Sequence, residues 1–570
     1  MPLSRVRPPL VDQVAGYSRR DVSRDLIAGV VLAAVLVPTG MGYAVASGLP
    51  PINGLYATII PLLVYALVGP SRILVFGPDS SLAPLLASAV IPLAAGDPKR
   101  AVAIGMLVSL IAGALCVLGA IGRFGFLADL LSKPVQYGYL NGIALTVLAT
   151  QLPKTLGISS RADDVIQAVR DLVEGLDVGA VNWRSAVIAA STIIVVIVGR
   201  AIDRRVPGAL IAVVGAAIVV RFAHLGSHGV SVVGDLPRGF PLPRWPGVAW
   251  GDLTEIVPVA VGVAFVSFAD TSVLSRTYAS KTGQRVDANR ELFALGAVNL
   301  ASGVLQGFPV SSSQSRTPVA EDAGSKSQLT GLVGAGIVAL LVLSVPMAFR
   351  YLPSAALSGI VITAALRLVQ LGGVLRLKMA RRSEFLLSLV AFAAVVLLGP
   401  IKGIGVAIAL SLLNFMRKVW RPYATELVRV DGLQGFHDII RHPEGDRVPG
   451  LLLYRFGAPL FFANAGFLEQ DLLRRINEHG SGPGPDIRWV VVLGEAITDV
   501  DSTAAEGLGE LLDLLEARGV VLVFARLKGT VRDRLEPYGL VQRIGRERFY
   551  PTTSEAISAY VAETGVTWPQ

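Results

Sequence analysis

Apolar stretches long enough to cross a bilayer recur along most of this chain, and they restrict its fold more than any other feature. They start at 26–47 and 53–68 and continue to 403–419, separated by polar connections. A membrane-spanning helix needs about 20 mainly apolar residues. With 52% hydrophobic and 16% charged residues among 570, the chain is too apolar for a soluble protein of this size. The sequence therefore predicts an α-helical polytopic membrane protein embedded in the lipid bilayer.

The distribution of basic residues predicts the topology. About fourteen apolar segments can be counted between residues 26 and 420, seven in each half. Lys and Arg are concentrated in alternate connections, as in cytoplasmic loops. They include Arg123, Lys133, Arg200, Arg276, Lys281, Arg376, Lys378, Arg381 and Arg382. This pattern predicts cytoplasmic termini and a location in the plasma (inner) membrane. It also accounts for the net charge of +9 without a nucleic-acid partner, because the basic residues are not interleaved with aromatic ones.

The stretch 307–317, Gly-Phe-Pro-Val-Ser-Ser-Ser-Gln-Ser-Arg-Thr, interrupts a segment that would otherwise cross the membrane. Pro309 disfavours helix at the preceding residue, and serine is a favoured helix cap. We expect a helix to begin near Ser312 or Ser313, with Arg316 one turn inside it. The helix amino terminus, the serine hydroxyls and the guanidinium would then attract an anion. Alternatively, the serines are ordinary caps without a ligand.

A second break, Gly77-Pro-Asp-Ser-Ser, lies in the first half of the chain. We expect a short extended piece there, followed by a half-helix. The first break follows Thr39, and the second break follows Asp270. The number of residues between each of these positions and its break is similar in the two halves. Seven segments per half would invert one half relative to the other, so the sequence predicts a 7+7 inverted repeat with paired half-helices, as in secondary transporters. Two unrelated kinks are the alternative, since Gly and Pro are common in membrane helices.

Two acids lie in the predicted membrane region. Burial of Asp270 in a membrane is costly, so it must face protein or water, where such acids bind or relay cations and protons. A structural hydrogen bond or ion pair is the alternative. Asp79 would repel an anion at the same helix end. We expect Asp79 to point away as a helix cap, or else to be protonated when substrate binds.

The composition changes after residue 420 to that of a soluble domain. We predict a cytoplasmic amino-terminal segment at 1–25, a transmembrane domain at 26–420, a linker at 421–446 and a domain of alternating strands and helices at 447–570. Cys116 is the single cysteine, which excludes a disulfide within the chain and a cysteine-based metal site. No nucleotide fingerprint, metal-ligand set or catalytic triad is visible, so we predict no cofactor and no enzymatic activity.

Several longer motifs occur in order along the chain. They are Pro38-Thr-Gly-Met-Gly-Tyr-Ala, Gly48-Leu-Pro-Pro-Ile-Asn-Gly-Leu-Tyr, Val286-Asp-Ala-Asn-Arg-Glu-Leu, Gly307-Phe-Pro-Val-Ser, Ser315-Arg316 and Asp499-Val-Asp-Ser-Thr-Ala-Ala. Together the first five resemble the SulP, or sulfate permease, family of anion transporters, and the last resembles its STAS domain. The resemblance implies a core and a gate subdomain, an elevator-like movement of the core and a homodimer.

The resemblance also implies the functional residues. Those implied to bind substrate are Gly77, Pro78, Asp79, Ser80, Ser312, Ser313, Gln314, Ser315 and Arg316. Family members commonly carry Glu at the position of Asp270, where it is associated with ion coupling. Family members often carry Gln or Glu at the position of Thr39, but the hydroxyl of Thr39 cannot titrate. Asp270 and Asp79 are therefore the ion-coupling candidates. Ser502 aligns with the phosphorylated residue of related bacterial regulators and is a regulatory candidate, although a serine there is also a plain helix cap.

These features predict secondary active transport of a small inorganic anion, with sulfate as the first choice of substrate. The predicted coupling ion is a proton rather than sodium, since titratable acids are present and no sodium cage is readable. Bicarbonate or a dicarboxylate is the alternative within the class. A nucleobase carrier is disfavoured, because the stretch 307–317 offers donors for an anion instead of an acid that reads a base. A membrane regulator with vestigial transport is the alternative from a different class.

Overall fold

The computed structural model describes residues 13, 17–129, 132–160, 162, 164–203, 206–235, 237, 239–282, 286–344, 349–480 and 485–568. The chain divides into two compact units, Met1–Ser411 and Leu412–Gln570. We call them the membrane unit and the carboxy-terminal unit.

The first half of the membrane unit consists of long helices interrupted once by extended chain. Its elements are α1 (Arg19–Ala46), α2 (Pro51–Val68), β1 (Phe76–Gly77), α3 (Ala83–Ala94), α4 (Pro98–Ile121), α5 (Lys133–Thr155), α6 (Val165–Asp177), α7 (Trp183–Ile202) and α8 (Gly208–Phe222). Local chemistry sets several of the helix starts. Ser18 and Asp21 form a capping box at α1, and Pro51 and Pro98 occupy the first positions of α2 and α4.

The second half contains a similar series of elements. They are α9 (Leu253–Thr282), α10 (Ala288–Val304), β2 (Ser311–Ser312), α11 (Arg316–Asp322), α12 (Leu329–Ser344), α13 (Ser354–Leu368), α14 (Leu371–Ala380), α15 (Arg382–Leu398) and α16 (Pro400–Trp420), the last of which continues past residue 411. The order helix, helix, strand, short helix, helix occurs in both halves, at α1 to α4 and at α9 to α12. This order agrees with the predicted repeat.

The membrane unit has the apolar helices that the sequence predicted. Among the described residues, seven helical spans are long and apolar enough to cross a membrane, and they contain α1, α2, α4, α7, α9, α13 and α16. Shorter apolar helices are α3, α8 and α12. These helices agree with the predicted polytopic membrane protein, whereas the number of fourteen spans stays a prediction.

The helices of the membrane unit pack as two groups. The first bundle contains α1 to α4 and α9 to α12, and the second contains α5, α7, α8, α13 and α15. Glycines permit the closest approaches. A Cβ added to Gly54 of α2 would lie 2.0 Å from the carbonyl oxygen of Gly40 of α1, and one added to Gly138 of α5 would lie 2.0 Å from that of Ser388 of α15. Larger residues at either glycine would force the helices apart.

The carboxy-terminal unit is an α/β domain built on a six-stranded sheet. Its elements are β3 (Ala424–Arg429), β4 (Phe436–Asp438), β5 (Leu451–Phe456), α17 (Ala465–Gly480), β6 (Trp489–Leu493), α18 (Ser502–Glu516), β7 (Val521–Ala525), α19 (Gly529–Leu535), α20 (Leu540–Ile544), β8 (Phe549–Tyr550) and α21 (Thr553–Thr564). The strand order is β4-β3-β5-β6-β7-β8. Strands β5 to β8 run parallel, and β3 is antiparallel to both neighbours.

Apolar side chains cover both faces of this sheet. Helices α17 to α20 pack on one face, and α21 packs on the other. The buried strands Leu451–Phe456 and Trp489–Leu493 are near-continuous apolar runs, as expected for central parallel strands. Strands β3 and β4 lie within 421–446, the range predicted as a linker, and they are hydrogen-bonded into the sheet.

Candidate functional site

The two predicted breaks meet as a pair of short antiparallel strands. Phe76 lies opposite Ser312 and Gly77 opposite Ser311, and the Ser313 N–H donates to the Val75 carbonyl oxygen at 2.9 Å. Isolated extended chain would leave its backbone groups unsatisfied in a membrane, and this pairing supplies partners for them. We call the place where these two strands pair the crossing. Each strand leads into a short helix, α3 or α11, so the turns that begin both helices lie close to the crossing.

Arg316 lies beside the crossing and is deeply buried, with 1% of its surface exposed. One terminal nitrogen donates a short hydrogen bond to the carbonyl oxygen of Pro78 and lies 4.0 Å from Oδ2 of Asp79. Nε and the other terminal nitrogen have no hydrogen-bond partner among the described residues. A buried guanidinium with free donors is costly unless another acceptor is supplied. The site therefore has unused capacity to bind an anion.

The predicted start of the second half-helix is wrong. Helix α11 begins at Arg316, after Ser315, and contains only seven residues. Ser311 and Ser312 belong to β2, since their backbone pairs with residues far away in the sequence. The backbone N–H of Arg316 instead donates a hydrogen bond to the hydroxyl of Ser313, at 3.2 Å. Arg316 is consequently the first residue of the helix, beside the crossing.

The expectation that Asp79 points away is also wrong. Its Oδ1 accepts hydrogen bonds from the N–H and the hydroxyl of Ser81, both at 3.1 Å, in a turn that precedes α3. Its Oδ2 lies near Arg316, and the side chain lines a cavity next to the crossing. Asp79 therefore fixes the turn and faces the proposed anion site at the same time.

Asp270 reaches the same place from α9. It is 4% exposed. Its Oδ2 accepts a hydrogen bond from the Ser81 hydroxyl at 2.8 Å, and its Oδ1 accepts a weak one from the Gln314 amide at 3.4 Å. Because Ser81 also contacts Asp79, one hydroxyl links the two acids. No arginine or lysine forms an ion pair with Asp270 within the described part of the chain.

The remaining predicted residues form the wall around these charges. Ser80 is buried, and Ser313 and Ser315 exchange a hydrogen bond at 3.2 Å between their hydroxyls. The Ser312 hydroxyl is buried and has no partner among the described residues. Its backbone N–H is directed toward the Thr271 hydroxyl at 3.4 Å. The site thus offers several hydroxyl groups in addition to Arg316.

A cavity of about 180 Å³ lies against this wall. It is lined by Asp79, Ser80, Ser81, Leu140, Arg200, Asp270, Gln314, Ser315, Ala364, Arg367 and Leu368. Of the sequence-predicted residues, the first bundle therefore brings five to the cavity. Gly77, Pro78, Ser312, Ser313 and Arg316 lie at the crossing, outside that lining.

Sequence reasoning missed the residues that the second bundle contributes to the cavity. Arg200 lies in the last turn of α7 and Arg367 in the last turn of α13. The sequence pattern predicts that Arg200 belongs to a cytoplasmic connection. The available signal for Arg367 was its position inside an apolar segment, where a charged residue indicates function. Both also line a neighbouring cavity of about 70 Å³, together with Thr39 and Tyr43.

The regulatory candidate lies in the carboxy-terminal unit. Ser502 is the first residue of α18 and is exposed. The preceding residue, Asp501, is the helix cap, because its Oδ1 accepts from the Ala504 N–H at 2.8 Å. Its Oδ2 accepts from the Phe462 N–H at 2.9 Å. Ser502 is therefore not needed as the cap and is accessible from solvent.

The paired breaks, the two bundles and the cavity define a polytopic membrane transporter built on an inverted repeat. A family model described as "Sulfate permease family" matches residues 22–391, and one described as "STAS domain" matches residues 442–556. The chain belongs to the sulfate permease family and carries a STAS domain. This confirms the family resemblance that the sequence motifs indicated. The family comprises anion transporters rather than enzymes.

One curated relative and one solved structure are similar to nearly the whole chain. A protein of Mycobacterium tuberculosis named "Probable sulfate transporter" is 39% identical over 552 residues, which cover 97% of this chain and 98% of that protein. The murine Solute Carrier 26 family member A9 anion transporter, in an inward-facing state, superposes with a TM-score of 0.88 at 20% identity and covers 99% of this chain and 96% of its own.

A second solved structure is that of a transmembrane domain. The transmembrane domain of the cyanobacterial bicarbonate transporter BicA has a TM-score of 0.62 at 22% identity and covers 68% of this chain and 99% of its own. At such identities the two solved structures establish the fold and leave the substrate to be argued from the site.

Proposed function

We propose that the protein carries sulfate across the plasma membrane by secondary active transport coupled to protons. The observation that carries the proposal is Arg316, a buried guanidinium with two nitrogens that lack acceptors among the described residues. A tetrahedral oxyanion presents several acceptor oxygens, and arginine binds such groups through more than one N–H. The hydroxyls around the crossing supply further donors. The name of the Mycobacterium tuberculosis relative favours sulfate among the possible oxyanions.

Proton coupling follows from the acids beside Arg316. Asp79 and Asp270 both line the cavity, and two ionised carboxylates would repel a dianion there. Protonation of one acid reduces that repulsion, so that sulfate and a proton favour each other's binding. Asp270 is the first candidate, since its contacts are a hydroxyl and an amide, whereas Asp79 lies beside Arg316.

The two bundles suggest how the site could open to each side in turn. The charged wall belongs to the first bundle, whose α3 and α11 carry the crossing, while α7 and α13 of the second bundle close the opposite side of the cavity. We propose that the first bundle moves past the second in an elevator-like step. Cytoplasmic termini, a cytoplasmic STAS domain and a homodimer complete the proposal.

Uptake by purified protein in proteoliposomes tests the proposed function. Wild-type protein should accumulate labelled sulfate when an inward proton gradient is imposed. Arg316→Gln should reduce uptake by about 30-fold or more, since the loss of a buried charge partner costs several kcal/mol. Arg316→Lys keeps the charge but loses the planar fork, and it should retain more uptake than the Gln variant.

Arg350→Gln is the matched control, because Arg350 is half-exposed and pairs with Asp235 at 3.5 Å, away from the crossing. It should transport normally. Bicarbonate or dicarboxylate uptake without sulfate uptake would move the substrate within the class. Absence of uptake for every anion tested would favour a membrane regulator instead of a transporter.

A further inference from the structure

Two arginines of the second bundle face the proposed anion site from the opposite side of the cavity. Arg200 of α7 and Arg367 of α13 line both the 180 Å³ cavity and its 70 Å³ neighbour. The wall across from them is formed by the first bundle and contains Asp79 and Asp270. The cavity is therefore a place where charges from both bundles meet.

Within the described part of the chain, neither Arg200 nor Arg367 forms a hydrogen bond or an ion pair, and the two line the same two cavities. Both are exposed to solvent. Solvation by water would be enough to explain a single arginine that has no hydrogen bond or ion pair with the protein. Two that converge on one cavity form a positive rim, and an anion between them would relieve their mutual repulsion.

The charge balance of the cavity shows why the rim matters. Without it, one arginine, Arg316, stands against two acids, Asp79 and Asp270. A site with that balance repels a dianion while both acids are ionised. Arg200 and Arg367 add two positive charges to the lining of the 180 Å³ cavity, whose acids are Asp79 and Asp270, and a third acid, Asp322, lines the neighbouring cavity with them. The two arginines offset part of the repulsion from the acids, and they attract a dianion more strongly than a monoanion, since the interaction scales with ligand charge.

We infer that Arg200 and Arg367 form a cationic rim, contributed by the second bundle, that selects divalent oxyanions over monovalent ones. This inference rests on the proposed function and adds the charge class of the substrate to it. The rim attracts the anion through the field in the cavity, while Arg316 and the hydroxyls of the first bundle bind it.

Sulfate uptake in proteoliposomes, with competing anions of matched shape, tests the rim. Selenate is a tetrahedral dianion and perchlorate is a tetrahedral monoanion. In Arg200→Gln/Arg367→Gln protein, the KM for sulfate should rise about 10-fold, the size of effect expected from charge focusing in a cleft. The selenate concentration for half-inhibition should rise in parallel, whereas that of perchlorate should change much less. The maximal rate should stay within about twofold, because field effects act mainly on encounter and binding.

Two further variants control for folding and for charge. Arg200→Lys/Arg367→Lys keeps both charges and should retain the wild-type KM and selectivity, so the Gln effect is one of charge. Arg221→Gln removes another arginine of the second bundle, in α8, which lines neither cavity and should change nothing. Raised ionic strength should increase the KM of wild-type protein more than that of the double Gln variant.

The possible failures can be told apart. Wild-type protein that takes up no sulfate would overturn the proposed function and the rim together. Sulfate uptake that depends on Arg316 but keeps its KM and its selenate preference in the double Gln variant would overturn the rim alone. Equal weakening of selenate and perchlorate would also overturn it, because a selective rim must distinguish their charges.

Discussion

Buried acids occur in both units of the protein, and their surroundings differ in kind. In the carboxy-terminal unit, Asp471 of α17 pairs with Arg474 at 2.5 Å and Arg475 at 2.9 Å and accepts from the Tyr454 hydroxyl at 2.9 Å. Burial raises the pKa of Asp471, but the hydrogen bonds from its arginines and tyrosine outweigh burial, and the net pKa lies below its usual value. The carboxylate is charged and fully partnered.

In the membrane unit, Asp79 and Asp270 share the hydroxyl of Ser81, and Arg316 lies 4.0 Å from Asp79. Both acids border a cavity, whereas Asp471 is enclosed by its partners. The comparison teaches that a saturated acid holds a fold together, while an acid with few charged partners beside a cavity is available to a proton or a ligand.

Depth in the membrane unit does not by itself distinguish the two kinds. Asp25 of α1 is fully buried, yet it accepts from the Lys326 N–H at 2.6 Å, the Ser327 hydroxyl at 2.7 Å and the Thr330 hydroxyl at 3.0 Å. It lines neither cavity that contains Arg200. Asp25 therefore resembles Asp471 and anchors the start of α12 to α1.

The largest effect on transport that bears on this comparison should come from Asp270→Asn. The amide keeps the shape and cannot titrate. For the wild type, one pH unit of inward proton gradient should drive up to about tenfold accumulation of sulfate per coupled proton. The variant should lose this accumulation and take up sulfate independently of pH. Persistence of proton-driven accumulation in this variant would contradict the assignment to Asp270.

Asp79→Asn should have a smaller effect of another kind. It removes a negative charge that faces the anion, so the KM for sulfate should fall by roughly 3- to 10-fold, measured at a pH where the acids are ionised. The pH dependence should remain, because Asp270 is unchanged. If the variant instead loses its pH dependence, Asp79 is the coupling acid.

Asp471→Asn should change stability and spare transport. Loss of hydrogen bonds to a buried charged group should lower the local free energy of unfolding by roughly 1.5–3 kcal/mol. Faster hydrogen exchange in peptides from β5 and α17 of the full-length protein would show it, with sulfate uptake unchanged. Asp513→Asn is the control, since Asp513 is 67% exposed and forms a surface pair with Arg543.

The pH dependence of this contribution has a definite sign. The folded-state pKa of Asp471 is depressed, so the stabilisation is complete above the ordinary value of 3.8 and is lost as the pH falls through the lower folded-state pKa. The Asn variant lacks the contribution at every pH. The difference in hydrogen exchange between the two proteins should therefore shrink under acid conditions, and a difference that grows on acidification would contradict the pairing.

The smallest effect should come from Ser502→Ala. The cap of α18 is supplied by Asp501, so the substitution should leave helix stability within about 0.5 kcal/mol and basal uptake within about twofold. Circular dichroism and proteoliposome uptake measure the two quantities. A larger loss of uptake would assign Ser502 a regulatory role that its exposed position allows.

Much of the membrane unit could be predicted because its signals are local. Pro78 and Pro309 mark the breaks, and acids in apolar segments are conspicuous. The exact start of α11 could not be predicted, since Ser311 and Ser312 pair with β1, more than 200 residues away in the chain by their numbering. Secondary-structure propensity depends on residues that are close in sequence, whereas this pairing joins residues that are far apart in the chain.

The second wall of the cavity was missed for a similar reason. Arg200 fits the pattern of a cytoplasmic loop, and only packing of α7 and α13 around the first bundle brings it to Arg367. In the carboxy-terminal unit, β3 and β4 fall in the range predicted as a linker, because β4 is a three-residue edge strand and β3 has only two large apolar residues, Leu427 and Val428. The central strands Leu451–Phe456 and Trp489–Leu493 were predicted, since their buried runs are continuous.

Equilibrium binding of labelled sulfate to purified wild-type and Arg316→Gln protein tests the central claim most directly, namely that the crossing of the two breaks is an anion site. Wild-type protein should bind sulfate saturably, more tightly as the pH is lowered and Asp270 becomes neutral. The Arg316→Gln protein, verified as folded by size-exclusion chromatography, should show no saturable binding at the same concentrations. Equal sulfate affinity in the two proteins would contradict the account.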